Sequence, residues 1–143
     1  MTINQLSVFI ENKAGTLLRV LKLLKDAKIQ IVASTIAETI DYGICRIICS
    51  DSDKAYHILK DAGLSVALSD VFALQLDNEP GCASDAVEVL SNEGIGITYL
   101  YSFLLGGHGV LIFRTDNPVK TRDTIISNKM NYLCENEMTE LSK

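Results

Sequence analysis

The chain has 143 residues, of which 48% are hydrophobic, and a formal net charge of −5. Its thirteen basic residues are scattered, whereas a nucleic-acid surface needs clustered lysine and arginine, so we expect no nucleic-acid partner. No apolar stretch reaches the ~18 residues of a spanning helix, and the N-terminus lacks the pattern of a signal sequence. The sequence therefore predicts a cytoplasmic protein with no membrane partner.

The chain contains an internal repeat. Glu11-Asn12-Lys13-Ala14-Gly15 follows an apolar strand in the first copy, and Asp77-Asn78-Glu79-Pro80-Gly81 follows one in the second, 66 positions later. The same offset holds without a gap through Leu24/Leu90, Ile29/Ile95, Ile31/Ile97 and Gly43/Gly109. Because a repeat of this length occupies the whole chain, we expect two domains, at residues 1–68 and 69–143.

Apolar alternation predicts the strands and helical spacing predicts the helices, in the order βαββαβ for each copy. In the first copy these elements are predicted at residues 6–10, 16–27, 29–38, 44–49, 53–62 and 64–68. In the second they are predicted at 71–76, 82–92, 94–104, 110–115, 116–128 and 131–134. Thr16 is the predicted N-cap of the first helix. Ser69-Asp70 is the only predicted joint between the copies, and the polar tail 135–143 is expected to fray.

This order of elements is that of the ferredoxin-like split βαβ arrangement, in which two helices cover one face of an antiparallel sheet. The fold class is therefore predicted to be α+β, with two tandem ferredoxin-like units. The predicted third strands carry apolar residues on both faces, with Arg46 and Arg114 as the charged exceptions. A solvent-facing sheet would be more polar, so we expect the second face to be largely covered.

An apolar strand, then Glu-Asn-x-Ala-Gly or Asp-Asn-Glu-Pro-Gly, then a leucine-rich helix and an Ile-x-Ile strand, resembles the ACT domain. The resemblance covers residues 3–134 and both copies, with Ala14 where the second copy has Pro80. It implies a domain that binds a small effector, most often an amino acid, at the loop after the first strand. It further implies a regulatory homodimer that is not an enzyme, and that is either a free-standing sensor or a regulatory subunit whose target is another chain, such as a separate enzyme.

The loop after the first strand is also a candidate ligand site on physical grounds. It enters a helix N-terminus, where unpaired N–H groups and the helix dipole favour a carboxylate. Asn12 and Asn78 can both donate and accept hydrogen bonds, while Glu11 and Asp77 attract an ammonium group. The predicted ligand-binding residues are the two loops and the adjoining second strands: Glu11, Asn12, Lys13, Ala14, Gly15, Thr16, Ser34, Thr35, Ile36, Asp77, Asn78, Glu79, Pro80, Gly81, Cys82, Leu100, Tyr101 and Ser102. Loops that serve only as turns are the alternative, since Asn and Gly are common turn residues.

Other conspicuous residues receive plainer interpretations. Gly106-Gly107-His108-Gly109 lies between two predicted strands and lacks the Lys-Ser/Thr of a phosphate loop, so we interpret it as a hairpin tip. The alternating aromatics Tyr99, Tyr101 and Phe103 either pack in a core or dimer contact or line an effector pocket. The four cysteines lack metal-ligand spacing, and we expect neither a metal nor a cofactor. The first alternative to a sensor is a protein-interaction module without a small ligand. A small ferredoxin-like enzyme is the second, although no nucleophile–base pair stands out to support it.

Overall fold

The computed structural model describes residues 1–38 and 41–141. Its elements in chain order are β1 (Thr2–Glu11), α1 (Thr16–Asp26), β2 (Ile31–Glu38), β3 (Tyr42–Cys49), α2 (Ser52–Asp61), β4 (Ser65–Leu76), α3 (Cys82–Asn92), β5 (Ile97–Leu105), β6 (His108–Thr115), α4 (Pro118–Ser127) and α5 (Glu135–Leu141). The predicted α+β class, with two tandem ferredoxin-like units of antiparallel strands, is confirmed. In the described part of the chain no helix is long and apolar enough to cross a membrane.

Two compact units make up the chain. The first unit is Asn4–Ser69, and the second unit is Asp70–Lys143 together with Met1–Ile3. In the first unit the strand order is β2-β3-β1-β4, and Leu6 of β1 lies opposite Ile47 of β3. In the second unit the order is β4-β6-β5, and Leu74 lies opposite Leu111. The domain limits 1–68 and 69–143 stay a prediction.

Each unit has its own hydrophobic core between the sheet and the helices. The first core contains inward-facing residues of β1 and β3 and the apolar stripes of α1 and α2: Leu6, Val8, Ile10, Cys45, Ile47, Cys49, Val20, Leu24, Ala55 and Leu59. The second contains the corresponding residues of β4, β6, α3 and α4: Phe72, Leu74, Leu111, Phe113, Ala86, Leu90 and Ile125. Burying a large apolar side chain contributes about 1.5–3 kcal/mol, so these two layers fix the strand ends from which the loops emerge.

The opposite sheet face is covered to different extents in the two units. In the second unit Ala73, Val110 and Ile112 are buried on that face as well. In the first unit Phe9 is 40% and Tyr42 44% exposed, and their rings are 6.2 Å apart. The expected covering is therefore less complete in the first unit.

The predicted joint between the copies is wrong, because the strands predicted at 64–68 and 71–76 form one strand, β4, which begins at Ser65 and ends at Leu76. Ser69-Asp70 lies inside this strand. The stretch contains neither glycine nor proline, so nothing in its sequence forces the backbone to turn.

The expectation of a frayed tail is also wrong for Glu135–Leu141, which form helix α5; residues 142 and 143 of the predicted tail lie outside the described residues. Glu137 accepts a hydrogen bond from the backbone N–H of Cys134 at 2.9 Å, which is one half of a capping box. Met138 is buried, with 3% exposure, and anchors the helix. The strand predicted at 131–134 is reduced to a single bridge between Tyr132 and Leu74. Two apolar residues, Met138 and Leu141, in a short polar segment are too few to show a helical period in the sequence.

Candidate ligand site at two strand-to-helix loops

The two loops have the same backbone conformation where they enter α1 and α3. Gly15 has φ 92° and ψ −15°, and Gly81 has φ 91° and ψ −13°. Both lie in the left-handed region that favours glycine. The prediction that Thr16 is the N-cap is wrong, since Gly15 takes that position and Thr16 begins the helix. Because an L-residue would be strained in the conformation of Gly15, the backbone conformation favours glycine at the N-cap position.

The first loop is closed by its own side chains. The Thr16 hydroxyl lies 2.7 Å from the carbonyl oxygen of Glu11 and 3.0 Å from that of Lys13, and shares its proton between them. Lys13 Nζ lies 2.7 Å from Glu11 Oε2, and this hydrogen bond lowers the pKa of Glu11. The Asn12 amide oxygen would lie 3.5 Å from a Cβ placed on Gly43. The loop is thus tied to itself, and Asn12 lies beside Gly43 near the start of β3.

A cavity of about 340 Å³ in the first unit lies beside this loop; we call it the Arg19 cavity. Its lining includes Glu11, Lys13 and Thr16 from the loop, Arg19 from α1 and Gly63, Leu64 and Ser65 from the turn after α2, with Phe9 and Ile10 of β1. The predicted wall residues Ser34, Thr35 and Ile36 do not line it, and neither do Asn12, Ala14 and Gly15. Ile36 instead lies beside Gly43 of β3, where its Cγ2 would be 3.4 Å from an added Cβ.

The second loop meets its predicted wall. Asp77, Asn78, Glu79 and Cys82 line a cavity of about 240 Å³ in the second unit together with Ser102 of β5. We call it the Ser102 cavity. Leu100, Tyr101, Pro80 and Gly81 do not line it. Phe103, one of the three alternating aromatics, and Leu104 do. Sequence reasoning missed Leu104, which the period of two along a strand, counted from Ser102, identifies.

A third cavity, of about 460 Å³, lies on another side of the second loop and contains Asp77, Cys82 and Asp85. We call it the Asp85 cavity. It is the counterpart of the Arg19 cavity, because seven lining positions correspond at the 66-residue offset: Phe9/Gln75, Ile10/Leu76, Glu11/Asp77, Thr16/Cys82, Arg19/Asp85, Leu64/Met130 and Ser65/Asn131. The fold therefore forms the same cavity twice, with different side chains.

Polar and charged side chains are part of the lining of the cavities at these loops. Carboxylates, amides, hydroxyls and two basic side chains line the cavities. Among residues 1–38 and 41–141 no group of three or more His, Cys, Asp or Glu side chains could hold a metal ion. All four cysteines are free thiols, and burial raises the pKa of Cys45.

Gly106 and Gly107, with φ 59° and 81°, form the tip between β5 and β6, which confirms the interpretation of this segment as a hairpin.

The family model of the ACT domain pair matches residues 1–142. The chain belongs to this family. Protein BT0572 from Bacteroides thetaiotaomicron is 37% identical to this chain in sequence. Its crystal structure matches this structure with a TM-score of 0.93, and the match covers 99% of this chain and 98% of that chain. No catalytic domain is indicated by these comparisons. Among the curated proteins no sequence matches.

Two regulatory subunits share the fold of this ACT domain pair. The regulatory subunit of aspartate kinase from Thermus thermophilus is 10% identical with a TM-score of 0.62, covering 87% of this chain and 91% of its own. The corresponding subunit from Thermus flavus is 13% identical with a TM-score of 0.60, covering 87% and 88%. At such identities the likeness concerns the fold.

Proposed function

We propose that this ACT domain pair is a regulatory protein that binds an amino acid and reports it to a protein partner, without catalysing a reaction. The observation that carries the proposal is the Ser102 cavity, in which the loop residues Asp77, Asn78 and Glu79 face Ser102 of β5. Its volume of about 240 Å³ is below the ~300–1,000 Å³ typical of pockets for drug-sized ligands. A ligand as small as an amino acid suits that space.

The lining groups match the two ends of an amino acid. Asp77 and Glu79 attract an ammonium group, and the Asn78 amide can pair with either end. The N–H groups at the start of α3 favour a carboxylate. Phe103 and Leu104 offer apolar surface to the ligand side chain. By the same reasoning the first loop, from Glu11 to Thr16, is proposed as a related site.

Regulation follows if the ligand binds one arrangement of the chain and its partner better than another. The shift in population between the two arrangements is limited by the difference between the ligand's affinities for them. The proposal includes a homodimer, a separate target enzyme and a cytoplasmic location. The first two are what membership of an effector-binding family implies, and the four free thiols agree with a reducing compartment.

Thermal unfolding with each of the twenty amino acids at millimolar concentration tests the proposal. A ligand present at 100 times its Kd stabilises by about 2.7 kcal/mol, which raises the unfolding midpoint by several degrees. Asn78→Ala and Ser102→Ala should reduce the shift. Thr98→Ala is the matched control, because Thr98 is exposed on the same strand but does not line the cavity. If no amino acid shifts the midpoint, the proposed function is wrong.

One observation favours a protein-interaction module as the second candidate. Val119 is 73% and Ile126 53% exposed on α4, and residues seven apart lie on the same face of a helix. Exposed apolar patches commonly mark contact sites. A stable hetero-complex that Val119→Ser and Ile126→Ser weaken, with no response to any amino acid, would favour this function over the sensor.

A further inference from the structure

The Arg19 cavity and the Asp85 cavity occupy equivalent places in the two repeats but carry opposite charge. Two basic side chains, Lys13 and Arg19, and one acidic side chain, Glu11, line the first. Only acidic side chains, Asp77 and Asp85, are charged in the lining of the second. The formal charges are therefore +1 and −2. Lys129 stands at the position of Gly63, but its exposed side chain is not part of the lining.

Arg19 is held in place at the cavity. Its Nη2 donates to the backbone carbonyl of Ala62 at 2.6 Å, and Ala62 is the C-cap of α2. This bond uses one of the guanidinium donors and leaves the others for a second acceptor. A guanidinium that is already oriented binds a carboxylate through two parallel hydrogen bonds with little further loss of freedom. The simpler role of this hydrogen bond is to hold α1 against α2, and this role is compatible with ligand binding.

The rest of the lining complements an amino acid with a second carboxylate. Phe9, Ile10 and Leu64 provide apolar surface. Arg19 provides positive charge, and Lys13 and Glu11, paired with each other at 2.7 Å, add one charge of each sign. An amino acid with a side-chain carboxylate carries two negative charges and one positive charge at neutral pH. Its net charge of −1 is thus opposite to the +1 of the lining.

We propose that the Arg19 cavity binds an acidic amino acid, with its side-chain carboxylate on Arg19 and its ammonium group beside Glu11. The Asp85 cavity, with a carboxylate at the position of Arg19, repels the same ligand. The inference rests on the proposed amino-acid binding, concerns the related site at the first loop and adds the class of ligand that this site takes. The two loops are then chemically distinct sites.

Isothermal titration calorimetry of the full chain with glutamate, aspartate, glutamine, lysine and glutarate tests the inference. Glutamate or aspartate should bind best. Arg19→Gln should weaken binding by about tenfold to a hundredfold, since hydrogen bonds between charged groups contribute that much to affinity. Asp85→Asn is the matched control at the equivalent position and should leave the affinity within about twofold. Both side chains are exposed, and an unchanged unfolding midpoint without ligand confirms that each variant is folded.

The possible results separate the inference from the proposed function. Binding of no amino acid contradicts the proposed function and the inference with it. Binding of only neutral or basic amino acids, unaffected by Arg19→Gln, overturns the inference and leaves the proposed function intact. If acidic amino acids bind less tightly to Asp85→Asn but not to Arg19→Gln, the site lies in the second repeat and the inference is overturned. If glutarate, which lacks the ammonium group, binds as tightly as glutamate, the assignment to Glu11 is overturned.

Discussion

Replacing Gly81 with alanine measures what the loop conformation requires of the sequence. Gly81 has φ 91°, and a Cβ added there would meet no heavy atom within 4 Å. The substitution therefore changes backbone energy without creating a clash. The left-handed conformation costs an L-residue about 1–2 kcal/mol, and the lower entropy of the unfolded chain offsets roughly 0.4–1 kcal/mol of this. We expect Gly81→Ala to destabilise the second unit by about 1 kcal/mol, the difference between these two effects.

Urea unfolding followed by circular dichroism provides the assay, with the free energy taken from the midpoint at an unchanged slope. Gly15→Ala should give a similar loss in the first unit, because Gly15 has φ 92° and equally open surroundings. Gly109→Ala is the contrasting control, since its φ is not positive and a Cβ there would lie 3.7 Å from the nearest atom, an ordinary contact. If Gly81→Ala is as stable as Gly109→Ala, the argument from the positive φ is wrong.

Three further measurements test other parts of the structure. Asp51→Ala and Asn117→Ala should each cost about 1 kcal/mol in urea unfolding, because each side chain accepts an N-cap hydrogen bond at 3.1 Å; a loss in only one variant would contradict the equivalence of the repeats. Met138→Ala should cost about 2–3 kcal/mol, or less if α5 simply undocks, and an unchanged stability would contradict a docked α5. Iodoacetamide at pH 8, followed by mass spectrometry, should label half-buried Cys82 well before Cys45, because burial raises the Cys45 pKa and the thiolate is the reactive form; equal labelling would contradict the burial of Cys45.

The 66-residue repeat predicted most of the fold because each copy repeats the same periodicities. Helix α3 (Cys82–Asn92) has the predicted limits. The errors fall where packing or backbone geometry outweighs local composition. Ser69-Asp70 resembles a turn in composition but lies within β4. Thr16 resembles an N-cap, yet the left-handed glycine before it takes that position.

The candidate site was predictable only in part, because a cavity depends on side chains that are distant in sequence. The second loop and Ser102 do line one cavity, while Ser34–Ile36 do not line the one beside the first loop. Arg19 lies on α1 and is exposed. Its hydrogen bond to Ala62, 43 positions away, is a tertiary contact that helical periodicity does not contain.

Within this one chain the two repeats agree in backbone and differ in cavity chemistry. The capping residues Asp51 and Asn117 have φ −149° and −142°, as closely matched as the two loop glycines. Arg19 and Asp85, at equivalent positions, have opposite charges. Backbone conformation sets where a ligand can approach, whereas the side chains set which ligand is favoured. Under the proposed amino-acid binding, equal folds with unequal linings favour two different ligands over two copies of one, and a ligand screen that averages over both sites would hide the difference.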